Sequence, residues 1–342
     1  MKIGILGGGQ LGRMLIQEAL KYDDEFYTLD PSSDCPCAGI SHLTKGDFND
    51  YQTVIDFGKD KDVLTIEIEH VNVQALEDLQ KQGIKIIPSP NAVKIIQQKI
   101  LQKEFYQKNE IPSPDFQVIR GEKELENLWN APSVLEALVD IEKELSVIVA
   151  KNDRGEVKVF PVTEMVANPR LNLLDFNICP SEISDEIQTQ IDEIVRKFIQ
   201  AMASSGLFAI ELFLDKNGKV WVNETAPRLH NSGHLTQEGN SNSQFEQMYR
   251  VVKNLPLADT DADKYSGMFN LVGEEGYQGK AYYEGLEDVL KLPKTYVHLY
   301  GKTEIKSGRK MGHINILADN REELLEKLTT IKSMIRVISK KH

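Results

Sequence analysis

Residues 208–234 read FAIELFLDKNGKVWVNETAPRLHNSGH. Two apolar runs flank Asn217-Gly218, a dipeptide strongly favoured in tight hairpin turns. The spacing predicts an antiparallel ribbon with a two-residue loop, in which Lys216 faces Lys219. Counting outward, Glu211 then stands directly opposite Glu224 on one face. Like charges opposed across a ladder are destabilising. One reading leaves both glutamates on a solvated outer face. Against it, Glu211 is embedded in FAIELFL, where an exposed charge is out of place. The other reading sets a divalent cation between them. Mg²⁺ takes one or two carboxylates and completes its shell with phosphate oxygens and water. That reading points to nucleoside-triphosphate chemistry, and the hairpin runs on into TAPRLHNSGH, a loop dense in hydrogen-bonding groups.

The rest of the chain sets this hairpin in a larger frame. It has 342 residues, enough for two or three domains with substantial cores. A net charge of −12 disfavours a polynucleotide partner, because like charges repel. Cys35, Cys37 and Cys179 form no zinc-type pair and read as free thiols of a reducing compartment. The chain opens directly on a strand, and no apolar run reaches the length of a membrane span, so a soluble cytoplasmic protein is expected.

The N-terminus reads MKIGILGGGQLGR. Gly7 to Gly12 fit G-x-G-x-x-G after a strand, and Asp30 ends the next apolar run, FYTLD. This is the spacing of a dinucleotide fingerprint, so a nicotinamide- or flavin-dependent oxidoreductase is one reading. The same glycines could equally bring backbone N–H groups at a helix N-terminus close to another anion. Strands at KIGILG, FYTLD, VLTIEIEHV and IKIIPS, with helices at QLGRMLIQEALKY and VQALEDLQKQG, predict a doubly wound parallel sheet. Asn91 is expected to cap one helix through AVKIIQQKILQKEFYQKN, with IPSPDF breaking it at a domain seam. From Ser133 the pattern turns antiparallel. ELSVIVAKNDRGEVKVFPV reads as two strands about Asp153-Arg154-Gly155, and EISDEIQTQIDEIVRKFIQAMASSG as an amphipathic helix ended by Gly206. A Walker A loop is absent: Gly301-Lys302-Thr303 ends like one, but Tyr296 occupies the place of its first glycine.

Several stretches, in order along nearly the whole chain, resemble the ATP-grasp ligases, and among them the 5-(carboxyamino)imidazole ribonucleotide synthetases. They are GILGGGQLGRM, LDPSSDCPCAG, TIEIEHV, VLEALVDIEKELSVIVA, IELFLDKNGKVWVNETAPRLHNSGH and LYGKTEIKSGRKMGHINI. The resemblance implies an α/β and α+β architecture: a doubly wound pre-ATP-grasp domain over 1–98 that binds the ribonucleotide, a shortened small lid domain over 99–165, and a large ATP-grasp domain over 166–342 ending in a substrate-phosphate subdomain. It implies ATP- and bicarbonate-dependent carboxylation of aminoimidazole ribonucleotide through carboxyphosphate, with ATP and Mg²⁺ as cofactors. A homodimer and a transient hand-over to a mutase follow from the same likeness.

By that resemblance Gln10, Leu11 and Glu69 contact the ribonucleotide, with Glu67 on the same strand face as Glu69. Lys302, Arg309 and Lys310 meet its phosphate. Lys99, four residues before Lys103 on one helix face, approaches the ATP phosphates. Glu136 lies in the hinge against adenine, Glu144 binds the ATP ribose, and Asn223 belongs to the nucleotide site. Glu211 and Glu224 hold Mg²⁺, while Arg228, His230, Asn231 and Lys302 serve carboxyl transfer. Without the resemblance, Lys99 and Lys103 read as a solvated helix face. Asp30 and Cys35 are expected at a strand end and in loop packing. Rival readings are a Rossmann oxidoreductase, a catalytically impaired ATP-grasp-like nucleotide-binding protein, and a neighbouring ligase such as the formate-dependent glycinamide ribonucleotide transformylase.

One family element has no counterpart. A strand with an ATP-binding Lys and a G-Y-D-G-K-G-type loop should precede Glu136, yet Gly121 is the one glycine between Gln117 and Glu136. The expectation is that a Gly-rich segment belongs there, so that the chain connection near Phe116-Gln117 is long or unnatural. The alternative is a protein that lacks its lid.

Overall fold

The structure, a computed structural model, describes residues 1–119, 133–168 and 173–340. The chain opens with β1 (Lys2–Leu6), α1 (Gln10–Ala19), β2 (Glu25–Asp30), β3 (His42–Lys45), α2 (Tyr51–Gly58), β4 (Val63–Ile66), α3 (Val73–Lys81) and β5 (Lys85–Ile87). These strands form the expected parallel sheet, ordered β3-β2-β1-β4-β5. Ile3 and Ile5 pack on the α1 side, while Leu6, Leu29 and Leu64 pack beneath α2 and α3. Both faces are covered, which is why the strands read as unbroken apolar runs. The strand read through VLTIEIEHV stops at Ile66, so Glu67 and Glu69 lie beyond it and strand alternation does not place them on one face.

The helix expected from Asn91 is two helices. Ser89 is the cap, accepting the Ala92 N–H at 3.3 Å, and Pro90 opens α4 (Pro90–Gln97). Gln98 is extended (φ −111°, ψ 110°) and α5 (Lys99–Lys108) starts afresh after it. The break resets the helical phase, and the face of α5 that is buried carries Gln102, Lys103 and Tyr106.

β6 (Phe116–Ile119) pairs antiparallel with β7 (Ser133–Glu136), Phe116 opposite Glu136. Phe116-Gln117 is therefore ordinary strand, and the expected irregular connection is not found there. The rest of the stretch in which a Gly-rich loop was sought, residues 120–132, lies outside the described residues.

Beyond it follow β8 (Ile141–Lys151), β9 (Val157–Val159), β10 (Thr163–Asn168), β11 (Leu173–Cys179), α6 (Asp185–Met202), β12 (Gly206–Asp215), β13 (Val220–Ala226), α7 (Thr236–Gly239), α8 (Gln244–Lys253) and β14 (Tyr265–Val272). The chain closes with β15 (Gly279–Glu284), α9 (Leu286–Val289), β16 (Thr295–Leu299), β17 (Glu304–Ile305), β18 (Lys310–Ala318), α10 (Arg321–Met334) and β19 (Arg336–Ser339). One antiparallel sheet runs β13-β12-β8-β10-β11-β14-β18-β16, with β9 beside β8. A smaller sheet joins β17, β15 and β19. Helix α6 ends at Met202 with Ala203 in the left-handed region (φ 49°), not at Gly206, which instead opens β12. No helix among the described residues is long and apolar enough to cross a membrane.

The decisive hairpin differs from its expected form in two ways that cancel. Its loop has three residues, closed by Asp215 opposite Lys219, with Gly218 at φ +79°. Hydrogen bonds from the Asn217 and Lys219 N–H groups to the Asp215 carboxylate hold that turn. The pairing is thereby one residue out of step: Leu214 faces Val220 and Leu212 faces Val222. A bulge at Asn223 then absorbs the extra residue and restores Glu211 opposite Glu224.

A polar seam fixes the parallel sheet to the large one. Tyr22 of α1 stacks on Tyr249 of α8 with centroids 4.3 Å apart. Glu246, buried, accepts from Tyr22 Oη at 2.7 Å and Arg250 Nε at 2.7 Å and pairs with Lys21 at 3.0 Å. Asp24 accepts from Tyr249 Oη at 2.6 Å and from Lys253 Nζ at 2.8 Å. Glu246→Ala strands several donors at this seam and should cost about 2–4 kcal/mol. Tyr249→Phe, which removes one hydrogen bond, should cost about 1 kcal/mol. Urea denaturation checks both, and equal midpoints for the two variants would contradict the ranking.

Candidate functional site

The Gly-rich loop comes first because the chain reaches it first. Gly9 caps α1 without any side-chain hydrogen bond. The missing partner comes from the end of β4: Glu67 Oε1 accepts the Leu11 N–H at 3.2 Å. A Cβ on Gly7 would lie 2.8 Å from Glu67 Oε2, one on Gly12 3.5 Å from Glu67 Cγ, and one on Gly9 inside the carboxylate itself. Gly7 and Gly9 thus make room for a protein carboxylate, while Gly12 meets Cys37 Sγ first, at 3.2 Å. Asp30 accepts the Gly8 N–H at 2.8 Å, so the acid of the apparent dinucleotide fingerprint ties down the loop. Burial pushes the Glu67 carboxyl up to about 7, against the lowering pull of Arg228 and the Leu11 N–H.

Around this loop stand cations. Arg228 Nε donates to Glu69 Oε2 at 2.5 Å. Lys302 Nζ donates to Gln10 Oε1 at 3.1 Å and to the Lys310 carbonyl at 2.7 Å. Burial, then Arg309 and Lys310, bring the Lys302 ammonium down to about 8, while Glu67 acts in the opposite sense. Burial also lowers Lys310, with Arg228 adding to the effect and Glu211 opposing it. Arg309 Nη1 donates to the Glu304 carbonyl at 2.8 Å.

The second cluster lies on the large sheet. The bulge turns Asn223 toward Glu211, and Asn223 Nδ2 donates to Glu211 Oε2 at 3.3 Å. His230 Nε2 lies 3.3 Å from Glu211 Oε1. Its Nδ1 accepts the Ser232 N–H at 3.3 Å and meets Ser232 Oγ at 2.9 Å, which leaves Nε2 as the protonated nitrogen. Ser232 is fully buried and bonds Ser146 Oγ at 2.8 Å. Burial raises the Glu211 carboxyl, but His230, Asn223 and Lys99 outweigh it and its pKa falls below the usual value. Across the ladder, Lys99 Nζ holds Glu224 Oε2 at 2.5 Å. The opposed pair, expected to depend on a metal for its balance, thus has one counter-charge in Lys99 and side-chain donors in His230 and Asn223. Burial and Glu211 raise the Glu144 carboxyl, two residues along β8 from Ser146 on the same face. Asn231 Oδ1 is buried without a hydrogen-bond partner among the described residues.

Lys103, read from sequence as surface, is among the most buried side chains. Its Nζ donates to the Asn223 carbonyl at 2.9 Å and forms an ion pair with Glu136. Burial lowers its pKa, and Glu136 pulls it back up. Its spacing from Lys99 was visible; the broken helix that buries it was not. Glu67, noticed only as a neighbour of Glu69, proves to be the partner of the glycines. The fifteen expected site residues fall into two groups: Gln10, Leu11, Glu69, Arg228, Lys302, Arg309 and Lys310 about the Gly-rich loop, and Glu211, Glu224, Asn223, His230, Asn231, Lys99, Glu136 and Glu144 about the β12–β13 ribbon, with Lys310 feeling both Arg228 and Glu211.

Comparison with known proteins gives the family. Residues 1–97 match the ribonucleotide synthetase pre-ATP-grasp domain, 104–245 the ATP-grasp domain, and 266–327 the phosphoribosylaminoimidazole carboxylase C-terminal domain. The N5-carboxyaminoimidazole ribonucleotide synthase of Saccharolobus solfataricus is 31% identical, over 98% of this chain and 96% of its own length. This chain belongs to the N5-carboxyaminoimidazole ribonucleotide synthase family. The synthetase structure from Thermotoga maritima is 39% identical, with a TM-score of 0.91 over 99% of both chains. The Aspergillus clavatus synthase, solved with ADP and 5-aminoimidazole ribonucleotide, is 30% identical, with a TM-score of 0.88 over 97% of this chain and 98% of that one. The chloroplastic phosphoribosylaminoimidazole carboxylase of Vigna aconitifolia is 33% identical over 98% of this chain, which spans 66% of that protein's length. Membership in this ATP-grasp family makes the chain an ATP-binding ligase, and the oxidoreductase reading of the Gly-rich loop falls.

The glycine niche yields a direct test. Gly9→Ala should destabilise the protein by about 1–3 kcal/mol, because its methyl group needs the space of the Glu67 carboxylate. In a Glu67→Ala background the same change should cost much less. Strictly additive effects in the double-mutant cycle, read from denaturation midpoints, would remove the steric account.

Proposed function

We propose that this protein uses ATP and bicarbonate to carboxylate the exocyclic amine of 5-aminoimidazole ribonucleotide. The observation that carries the proposal is the Arg228 side chain, which bonds Glu69 beside the Gly-rich loop while its backbone follows the strand bearing Glu224. It links a cationic niche suited to a ribonucleotide phosphate with a carboxylate pair suited to a nucleotide-bound cation. Glu136 and Glu144 are assigned to the adenine and ribose of ATP, and Asn223 to its phosphate end. Glu211 and Glu224 fit Mg²⁺ in donor chemistry, being two opposed carboxylates open to phosphate and water as further ligands. When bound, the ion neutralises phosphate charge.

A bicarbonate oxygen attacks the γ-phosphorus, ADP departs, and carboxyphosphate forms. The ribonucleotide amine then bonds to the carboxyl carbon, phosphate leaves and the nitrogen loses its proton. This chemistry asks the protein chiefly for alignment and charge neutralisation. Lys99 is assigned to the ATP phosphates, Arg228 and Asn231 to the carboxyl group, and Lys302 and Arg309 to the ribonucleotide phosphate. His230, whose Nε2 faces Glu211, is assigned to the carboxyl site with Arg228 and Asn231, and Lys310, which feels both Arg228 and Glu211, to the ribonucleotide phosphate. Hand-over of the product to a mutase and a homodimeric assembly belong to the same proposal.

ADP release measured with and without ribonucleotide and bicarbonate tests the activity. Release that requires both supports it, and nucleotide binding without release returns the reading to an impaired ATP-grasp protein. Glu224→Gln should abolish Mg²⁺-dependent turnover with the fold retained. Turnover within a fewfold of wild type would remove the metal assignment. Arg309→Ala should raise KM for the ribonucleotide by roughly tenfold to a hundredfold, the worth of a charge-assisted contact, with little effect on KM for ATP. Equal rises for both substrates would contradict the placement.

A further inference from the structure

Glu67 has no part in the chemistry above, yet the Gly-rich loop is built around it. We propose that Glu67 is the positioning residue of the ribonucleotide site: its carboxylate, seated against Gly7, Gly9 and the N-terminus of α1, fixes the Leu11 N–H and with it the adjoining Gln10, whose side chain accepts from the ammonium of Lys302. The inference rests on the reading of this niche as the ribonucleotide site.

Capping alone does not call for this residue. A helix N-terminus is ordinarily capped by a local Ser, Thr, Asp or Asn. Here the cap position is a glycine, and the acceptor arrives from 56 residues away. A neutral amide would accept the same Leu11 N–H without placing a charge where burial disfavours it. What a carboxylate adds is its charge. Asp30 and Cys37 face it from β2 and the following loop, and Arg228 from the loop after β13. Lys302 faces it from the loop before β17, with Arg309 and Lys310 behind. Arg13 of α1 is turned away, donating to the Pro36 carbonyl at 2.7 Å. Burial and two neighbouring cations press Lys302 toward its neutral form, and Glu67 resists them. Because Glu67 titrates at about 7 and Lys302 at about 8, the carboxylate and the ammonium are charged together chiefly between those two values, and Lys302 loses its charge above them.

Two signs follow. A Glu67 carboxyl raised above its ordinary value stabilises the fold at pH below that ordinary value, and the contribution is lost as pH rises through about 7. Glu67→Gln should therefore raise the melting temperature more at about pH 8 than at about pH 5. Second, without the carboxylate Lys302 loses its proton at lower pH. The KM for the ribonucleotide in the variant should begin to rise at lower pH than in wild type, approaching about tenfold for each unit of displacement.

The experiment measures ADP release by the full chain from about pH 6 to pH 9, varying ribonucleotide at saturating ATP and bicarbonate. The expected result is a displaced KM profile for the ribonucleotide, with KM for ATP and kcat within about twofold of wild type. Glu67→Asp, which keeps the charge, should keep the wild-type inflection while raising KM through its shorter reach. Superimposable profiles for wild type and Glu67→Gln overturn the proposal, as do equal changes in both KM values. A Glu67→Gln protein that does not fold is replaced by the Glu67→Asp comparison, where a displaced inflection likewise overturns it. A wild-type protein whose ADP release ignores the ribonucleotide defeats the underlying reading, and this inference with it.

Discussion

The opposition of Glu211 and Glu224 across β12 and β13 is the constraint on which the rest of the site depends. Pairing along the ladder sets the two carboxylates opposite each other, and their repulsion must be met by neighbouring groups. Two neighbouring elements and the ribbon itself meet it. The start of α5 brings Lys99 to Glu224, the loop after β13 brings His230 to Glu211, and Asn223 at the bulge donates from within the strand. Lys103, one turn along α5, anchors that helix to the Asn223 carbonyl and to Glu136 of β7. One pair of like charges thus dictates where a helix, a hairpin and a loop must dock.

The same balance explains how an acidic chain houses anion-binding chemistry. Net charge is −12, yet Arg228, Lys302, Arg309 and Lys310 converge at one place. Cations so close lower one another's pKa, and burial adds to the effect, as Lys302 and Lys310 show. Internal carboxylates offset the repulsion: Glu69 pairs with Arg228 and Glu67 supports Lys302. The polar seam of Tyr22, Tyr249, Glu246 and Asp24 holds the parallel sheet against the large one, so that Gln10 and Lys302 can meet across 292 positions of sequence.

Much of this was legible in the sequence, though not always for the right reason. Glu211 does face Glu224, but the two-residue loop used to deduce it is a three-residue loop whose offset a bulge at Asn223 removes. Bulges leave little trace in apolar alternation, so register deduced from a turn alone can succeed only when errors cancel. The parallel sheet was legible because its strands are covered on both faces. The burial of Lys103 was not, because the break at Gln98 shifts helical phase and no proline or glycine marks it. Nor was the role of Glu67, since G-x-G-x-x-G records that something must approach the backbone closely and not what approaches.

That last ambiguity shows how charge is arranged before any ligand arrives. A Gly-rich turn at a helix N-terminus presents N–H groups to whatever anion is near, and Glu67 supplies one from within the chain. On the large sheet Lys99 does the converse, holding Glu224 where the proposed cation would sit. Glu224, Arg228 and Lys103 each lie against a protein group of opposite sign. Binding at such a site exchanges one counter-charge for another and need not bring a bare charge out of water. On the proposed assignment Glu224 would help hold the cation, and Lys99, which pairs with Glu224 here, would be free to serve the ATP phosphates.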